Sequence, residues 1–411
     1  MGRFAPYVKA VCGEIREHRA LYEAAGVRWG SGEWPFAKNA QGKQVAGGWE
    51  GQAGDLTQSA QRAQRRGGEA EFLVDTVYFG GGTPSLLEPE DLARILGAIR
   101  GSGEWSFAKG AQGKQVASGE ILEVTLEADP ETVTREKAEA WVRAGINRVS
   151  FGVQSFVDKE LAAAGRIHRR ADIYRAVPIL RAAGIGNISF DLIAGLPHQT
   201  RESWRESLGE LAALEPEHVS VYVLEVDEGS RLGRELLRGG GRYGAGAVPT
   251  DDLMAEFYEE ACAVLRAAGY HHYEISNWGK PGFESKHNLK YWRRDAYLGF
   301  GAGAHSFSGT ERWANAHDAA EYVAAMEAGK LPIEQHEVLT AEGALEEELF
   351  LGLRQLDGID LGRIEKEYGV TLRARFDPLA SAGLVEREGS MVRLAEGKLS
   401  VSNEVFVELM R

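Results

Sequence analysis

The sequence of 411 residues contains only two cysteines, Cys12 and Cys262. Two thiols exclude a framework of several disulfide bonds, and they are too few to build a metal site from cysteine. Both lie in segments with helical spacing of apolar residues, YVKAVCGEIREH and EEACAVLRAAGY. We therefore expect two small buried side chains without a ligand role.

The sequence also lacks long apolar runs and an excess of positive charge. No run approaches the length that spans a bilayer, and the first 20 residues lack the layout of a signal peptide. The formal net charge is −14, which disfavours binding to nucleic acid or to an anionic membrane surface. These features predict a cytoplasmic protein.

The segment VDTVYFGGGTPS joins a strand of β-forming residues directly to three glycines at positions 80–82. Successive glycines permit positive φ and bring bare N–H groups close to a ligand, and Pro84 then restricts the exit of the chain. Pro89 and the run EDLARILGAIR predict a helix immediately afterwards. This unit of strand, glycine loop and helix is by itself weak evidence for a ligand site.

Two polar segments are nearly identical, GSGEWPFAKNAQGKQVAGG from Gly30 and GSGEWSFAKGAQGKQVASG from Gly101. Because their flanking residues do not repeat, we interpret them as a duplicated insertion and not as a solenoid array. Each follows a predicted helix and precedes a predicted strand. Such connections lie opposite the catalytic mouth of a β/α barrel, so we expect mobile loops without a chemical role.

Outside these insertions, predicted strands alternate with predicted helices. The strands are near-continuous apolar runs at residues 74–79, 121–126, 148–153, 188–193 and 218–224. Helical runs between them end at glycines, of which Gly145 and Gly184 are the clearest. This alternation predicts a parallel sheet with both faces covered, either a β/α barrel or a doubly wound sheet.

Polar residues stand at the carboxyl ends of several predicted strands. Glu127, Gln154 and Asp191 occupy such positions on three different strands, as does the glycine loop. In a parallel barrel these ends meet at one mouth, so we expect the residues to lie together. Arg166 would supply a cation to a carboxylate of that mouth, whereas Asp129, next to Pro130, is interpreted as a helix cap.

Seven motifs carry a family resemblance, in this order: FGGGTPS, LEADP, RVSFGVQSF, GRIH, DLIAGLPHQT, HYEISNW and HNLKYW. Together they resemble the oxygen-independent coproporphyrinogen III oxidase family of radical S-adenosylmethionine (radical SAM) proteins, and within it the branch of HemW-type heme chaperones. The resemblance covers nearly the whole chain outside the insertions. It implies an α/β fold with a partial (β/α)6 barrel and a C-terminal α+β domain of winged-helix type.

The resemblance also implies ligand contacts. Gly81, Gly82 and Thr83 would hold the methionine end of S-adenosylmethionine. The remaining contacts to this cofactor would come from Glu127, Gln154, Arg166 and Asp191.

One feature of the family is missing from this sequence. Family members begin with a strand followed by CxxxCxxC, whose three thiolates hold a [4Fe–4S] cluster, whereas Cys12 matches a helix position. We therefore expect no cluster, no other metal and no catalytic residue in this chain. A late start codon or a truncated gene would explain the difference, and a cluster-free paralogue is the alternative. The barrel would also lack its first strand, so that the strand at 74–79 becomes an edge.

The motif HNLKYW supplies the second group of site residues, His287, Asn288, Tyr291 and Trp292. Positions i, i+4 and i+5 share one face of a helix, and the resemblance associates this motif with heme binding. A histidine nitrogen is a common axial ligand of heme iron. The alternative is a hydrogen-bonded histidine in a domain interface, with Tyr291 and Trp292 as core residues.

We divide the chain into three regions. Residues 1–240 form the barrel with insertions at 30–54 and 101–119, residues 241–335 form a connecting region that contains HNLKYW, and residues 336–411 form the winged-helix-like domain. The last region is acidic, which opposes DNA binding and favours a docking or substrate-covering role.

Three functions are consistent with these features. The first is a heme chaperone that passes heme to acceptor proteins, including peripheral contact with membrane-bound acceptors. The second is the decarboxylation of coproporphyrinogen III in porphyrin biosynthesis, and the third is a truncated inactive remnant. HNLKYW favours the first over the second. The sequence does not indicate an oligomeric state.

Overall fold

The computed structural model describes residues 4–24, 72–102, 105–107, 121–226, 231–240 and 242–409. The first insertion, at 30–54, and most of the second, at 101–119, lie outside the described residues. No helix within the described ranges is long and apolar enough to cross a membrane. The chain divides into two compact units, which are described in turn after their elements.

The strands of the described residues follow in chain order: β1 (Phe72–Val74), β2 (Thr76–Phe79), β3 (Trp105–Phe107), β4 (Glu123–Ala128), β5 (Arg148–Gln154), β6 (Asn187–Ala194), β7 (His218–Val223), β8 (His271–Glu274), β9 (Asn277–Gly279), β10 (His305–Phe307), β11 (Glu311–Asn315), β12 (Ile333–Val338), β13 (Ile359–Asp360), β14 (Val385–Glu388) and β15 (Met391–Leu394).

The helices of the same residues are α1 (Ala5–Ala24), α2 (Pro89–Gly101), α3 (Arg135–Ala144), α4 (Asp158–Ala163), α5 (Arg170–Ala183), α6 (Arg201–Leu214), α7 (Arg231–Leu237), α8 (Asp251–Ala267), α9 (Lys286–Trp292), α10 (Ala319–Glu327), α11 (Ala341–Gly352), α12 (Leu361–Tyr368), α13 (Arg373–Ser381) and α14 (Ser402–Leu409).

One unit, residues 76–93 and 121–287, contains a curled seven-stranded sheet with the order β2-β4-β5-β6-β7-β9-β8. The first five of these strands are parallel, and β9 and β8 extend the sheet in antiparallel fashion. This is the half-barrel that the motifs predict. Among the described residues β2 pairs in this sheet with β4 alone, as expected for an edge strand.

Helices α3 and α5 of this unit end as their sequences predict. Thr134 caps the start of α3 by accepting a hydrogen bond from the N–H of Lys137. Gly145 and Gly184 end α3 and α5 in the left-handed conformation, with φ of 106° and 105°, which a glycine adopts without steric cost. These caps fix where each chain segment returns to the sheet.

The strands of the half-barrel alternate between apolar and polar residues, so the prediction of near-continuous apolar strands is wrong. Leu126 on β4 and Phe151 on β5 are fully buried on one face. The other face, here called the inner face, carries Glu127, Ser150 and Ser189, which lie side by side in the register of β4, β5 and β6. The polar residues remain inside because they hydrogen-bond one another across the strands.

The predicted strand at 74–79 is divided at Asp75. Its first part, β1, pairs in parallel with β3, while its second part, β2, pairs with β4. Strand β3 lies within the second insertion, so the prediction of a loop there is wrong for Trp105–Phe107.

The other unit comprises the described parts of residues 1–75, 94–120 and 288–411. It contains α1, the antiparallel sheet β10-β11-β12 and the small sheet β13-β15-β14. The small sheet and α11, α12 and α13 form the C-terminal α+β domain that the sequence predicts, with β14 and β15 as its wing.

A buried carboxyl group anchors α1 in this unit. Glu14 is fully buried, and its carboxylate accepts hydrogen bonds from the Gly301 N–H (2.9 Å), the Asn315 amide (2.8 Å) and the Tyr322 hydroxyl (2.6 Å). Burial raises the pKa of Glu14 to about 7, although the three hydrogen bonds oppose the shift. The carboxyl group is therefore poised to titrate near neutral pH.

We predict that Glu14 makes the stability of the protein fall as the pH rises from 4.5 to 7. The folded-state pKa exceeds the unfolded value of 4.5, so the folded state binds the proton more tightly and loses that advantage once the group ionises. The shift corresponds to about 3 kcal/mol. Urea unfolding at several pH values should show a shallower decline for Glu14→Gln, and equal slopes for both proteins would contradict the assignment.

Candidate functional site

The glycine loop follows β2 at the rim of the half-barrel. Gly81 and Gly82 have φ values of 80° and 95°, which glycine adopts freely and other residues rarely do. A side chain at Gly80 would lie 2.6 Å from the ring of Tyr78 and 3.0 Å from Glu127 Oε1. The loop is exposed, so its backbone is accessible to a ligand.

Glu127 connects this loop to the inner face. Its Oε2 atom accepts the N–H of Gly81 at 3.2 Å, and its Oε1 atom accepts the hydroxyl of Tyr78 at 2.8 Å. Burial raises the pKa of Glu127, and the nearby charge of Asp191 adds to the increase. A cationic ligand at this carboxylate would reverse that destabilisation of the ionised form.

Asp129 joins the site, although the sequence pattern is interpreted as a helix cap. It precedes the 3₁₀ turn Pro130–Thr132 without a side-chain capping bond. Its carboxylate instead accepts hydrogen bonds from Thr83 Oγ1 (3.3 Å) and Arg166 Nη1 (3.4 Å). The cap interpretation is therefore wrong, whereas the predicted pairing of Arg166 with a carboxylate is confirmed. The spacing of Glu127 and Asp129 could have indicated this, because Asp129 continues the extended backbone one residue beyond β4 (φ −86°, ψ 137°) and residues two apart in an extended segment share a face.

Gln154 ends β5 in a strained backbone conformation. Its φ is 64°, a left-handed value that is costly for a residue with a side chain, and such strain is concentrated at functional sites. The side chain is buried. A Cβ atom at Gly152 would lie 2.9 Å from Gln154 Nε2 and 3.4 Å from Asp129 Oδ1, so glycine at 152 leaves room for both groups.

Asp191 lies in a serine cluster of the inner face. Its carboxylate accepts hydrogen bonds from Ser150 Oγ (3.0 Å) and Ser189 Oγ (3.4 Å). Burial raises the pKa of Asp191, although these hydroxyls and the charge of Arg148 oppose the increase. The structure thus groups the glycine loop, Glu127, Asp129, Gln154 and Arg166 at one rim and places Asp191 among the serines beside Glu127.

The HNLKYW residues occupy helix α9. The carboxylate of Glu123 accepts the N–H groups of Lys286 (3.1 Å) and His287 (3.0 Å) at the start of this helix. His287 Nδ1 lies 2.9 Å from Thr76 Oγ1, and the imidazole stacks on Tyr78 with ring centroids 5.0 Å apart. His287 therefore belongs to the half-barrel unit and is oriented by two residues of β2.

The remaining motif residues, Asn288, Tyr291 and Trp292, belong to the other unit and are half-buried. Tyr291 makes an edge contact with Tyr297, with ring centroids 4.7 Å apart. The Arg354 guanidinium lies 4.5 Å from the centre of the Trp292 ring. Burial raises the pKa of Tyr291 to about 12.

The residues of this chain do not fit an iron–sulfur cluster. Its two cysteines lie on α1 and α8, in different units, and burial raises the pKa of the Cys262 thiol to about 11. No group of three or more His, Cys, Asp or Glu residues could hold a metal ion in the parts of the chain that the structure describes. Three thiolates are needed for the cluster of this fold family, and two cannot supply them.

Comparison with known proteins identifies the class. The family model of the radical SAM superfamily matches residues 46–211, and that of the HemN C-terminal domain matches residues 339–396. The solved structure of coproporphyrinogen III oxidase (HemN) from Escherichia coli, a radical SAM enzyme, has a TM-score of 0.67 with 21% identity. The match covers 82% of this chain and 78% of that one. The fold is therefore that of a radical SAM protein.

Closer relatives identify the family. The heme chaperone HemW of Bacillus subtilis is 37% identical over 338 residues, which are 81% of this chain and 84% of the relative. HemW of Lactococcus lactis is 32% identical over 343 residues, 82% of this chain and 84% of the relative. The chain belongs to the HemW family, which confirms the resemblance that the seven motifs carry.

We predict that glycine destabilises the protein less than alanine at position 154, which is the reverse of the usual order of stability in a strand. Gln154→Gly should be more stable than Gln154→Ala by about 1 kcal/mol, because glycine tolerates the left-handed conformation. Urea unfolding measures the difference. At the neighbouring Val153, glycine should be less stable than alanine, and the same order at both positions would contradict the strained conformation.

Proposed function

We propose that this protein is a cytoplasmic heme chaperone, which binds heme and transfers it to acceptor proteins, among them acceptors that it contacts at a membrane surface. The observation that carries the proposal is the similarity to HemW chaperones over more than four-fifths of the length of the Bacillus subtilis relative. The likeness to coproporphyrinogen III oxidase is at 21% identity and supports the fold alone. The oxidase function is therefore the weaker candidate.

The contacts of His287 support its assignment to the heme site, and Asn288, Tyr291 and Trp292 are assigned to that site by the HNLKYW motif. The contact of Thr76 with His287 Nδ1 fixes the orientation of the ring that would bind heme. A partner that fixes one ring nitrogen orients the other toward a metal. The stacked Tyr78 ring holds the imidazole plane, so the ligand is positioned before heme arrives.

The chemistry of the rim supports a second ligand, S-adenosylmethionine. This molecule carries an ammonium, a carboxylate and a sulfonium group. Glu127 and Asp129 suit its cations, the N–H groups of Gly81 and Gly82 and the Thr83 hydroxyl suit its polar methionine end, and Arg166 suits its carboxylate. Gln154 and Asp191 would complete the contacts to the remainder.

S-adenosylmethionine is here proposed as a bound ligand of the chaperone. When bound, it supplies positive charge beside Glu127, whose carboxylate is otherwise partly desolvated. The cluster that accompanies it elsewhere in the superfamily does not fit the residues of this chain, so no step is assigned to a cluster.

Heme titration followed by the Soret band tests the first ligand. His287→Ala should lose at least about tenfold in heme affinity, or about 1.4 kcal/mol, because the imidazole proposed to bind heme is removed. His336→Ala is the matched control, because His336 is also hydrogen-bonded to a side chain, that of Glu311 at 2.9 Å, but lies outside the motif. Equal affinities for wild type and His287→Ala would refute the heme site.

Isothermal titration with S-adenosylmethionine tests the second ligand. Arg166→Met should weaken binding by about tenfold or more, because a charge-assisted hydrogen bond contributes about 1.5 to 3 kcal/mol. Arg143→Met is the control, because Arg143 forms an exposed pair with Glu139 at 3.9 Å and lies outside the site. An Arg166→Met protein that binds as tightly as wild type would rule out the proposed contact.

A further inference from the structure

A continuous set of contacts joins His287 to the glycine loop within the half-barrel unit. The His287 imidazole stacks on the Tyr78 ring, with 5.0 Å between centroids and 22° between planes. The Tyr78 hydroxyl donates to Glu127 Oε1 at 2.8 Å, and Glu127 Oε2 accepts the Gly81 N–H at 3.2 Å. A single tyrosine therefore contacts both the histidine proposed to bind heme and the carboxylate proposed to bind S-adenosylmethionine.

Tyr78 is held in this arrangement from several sides. A side chain at Gly80 would approach the Tyr78 ring to 2.6 Å, so glycine at 80 leaves the space that the ring occupies. The Tyr78 hydroxyl is the donor in this arrangement, because its partner at 2.8 Å is a carboxylate oxygen, Glu127 Oε1. The Tyr78 hydroxyl contacts Glu127 and its ring contacts His287, so a change at Glu127 alters the surroundings of His287.

We propose that Tyr78 is a positioning residue that couples the two ligands, so that S-adenosylmethionine at the glycine loop raises the affinity of His287 for heme. The inference rests on the proposed function and concerns how its two sites communicate. Coupling between two binding sites is reciprocal, so heme must raise the affinity for S-adenosylmethionine by the same factor.

The direction of the coupling follows from electrostatics. A cationic ligand beside Glu127 keeps its carboxylate ionised, and an ionised carboxylate is the stronger acceptor for the Tyr78 hydroxyl. A phenol that donates to a full negative charge carries more electron density on its ring. That ring faces the imidazole, which becomes electron-poor when it coordinates iron, and an electron-rich ring stabilises a positively charged neighbour.

The test compares heme dissociation constants with and without saturating S-adenosylmethionine, measured from the Soret band. Tyr78→Phe keeps the stacked ring and removes only the hydroxyl. Tyr174→Phe is the matched control, because Tyr174 on α5 also donates to a carboxylate, that of Glu210 on α6. We define the ratio as the heme dissociation constant without S-adenosylmethionine divided by the constant with it. We expect a ratio of about fivefold or more for wild type and Tyr174→Phe, and a ratio near one for Tyr78→Phe.

Two further measurements make the outcome decisive. Glu127→Gln removes the ionisable acceptor and, at S-adenosylmethionine concentrations shown by calorimetry to saturate this variant, should also give a ratio near one, so it carries the test if Tyr78→Phe fails to fold by circular dichroism. The affinity for S-adenosylmethionine, measured with and without heme, must give the same ratio as the heme titration.

A ratio near one in wild type, or an unchanged ratio in Tyr78→Phe, would overturn the inference while leaving the proposed function intact. Wild-type protein that binds only one ligand, or neither, would contradict the proposed function and the inference together.

Discussion

The register of the parallel strands is the constraint on which the rest of the half-barrel depends. Glu127 lies opposite Ser150, and Asp191 lies opposite Ser220, so polar side chains from four strands share one face. Side chains alternate along a strand, and a shift of one residue would move every polar group to the helix-covered side. No covalent bond sets this register, because Cys12 and Cys262 do not form a disulfide bond. It is set by the burial of the apolar residues on the opposite face.

The rim and the serine cluster beside it combine several features that are each unfavourable to the folded protein alone. Two carboxyl groups, Glu127 and Asp191, are desolvated enough to raise their pKa values, and Gln154 has a left-handed backbone. Folded proteins retain such features mainly where a ligand compensates for them. A cationic ligand would do so, since it restores to the carboxylates the favourable interactions that water supplied in the unfolded chain.

The sequence predicts the half-barrel well because its signals are local. All five predicted parallel strands are present, the glycines at 145 and 184 end their helices as expected, and the family resemblance is confirmed. The proposed ligand roles and the division at residues 240 and 335 stay predictions. The proline next to Asp129 favours a cap in the sequence, and the contacts of its carboxylate with Thr83 and Arg166 show otherwise.

The sequence does not reveal contacts between residues that are far apart along the chain. Thr76 and His287 are 211 positions apart, and Glu14 and Tyr322 are 308 apart. No periodicity connects such pairs, because the helix and strand repeats report only on neighbours within one element. In the sequence Tyr78 is one of several β-forming residues, and the partner of its hydroxyl, Glu127, becomes evident only when the adjacent strand is in place.

Strand β2 lies at the edge of the described part of the sheet, where it pairs with β4. Both β2 residues that contact His287 lie on a strand with a single sheet neighbour among the described residues. A peripheral strand can detach from one side without opening the ladder between the inner strands, so local unfolding there costs less than elsewhere in the sheet. His287 therefore contacts the strand of the described half-barrel that unfolds locally at the lowest cost. Its orientation can change while the remaining parallel strands stay paired.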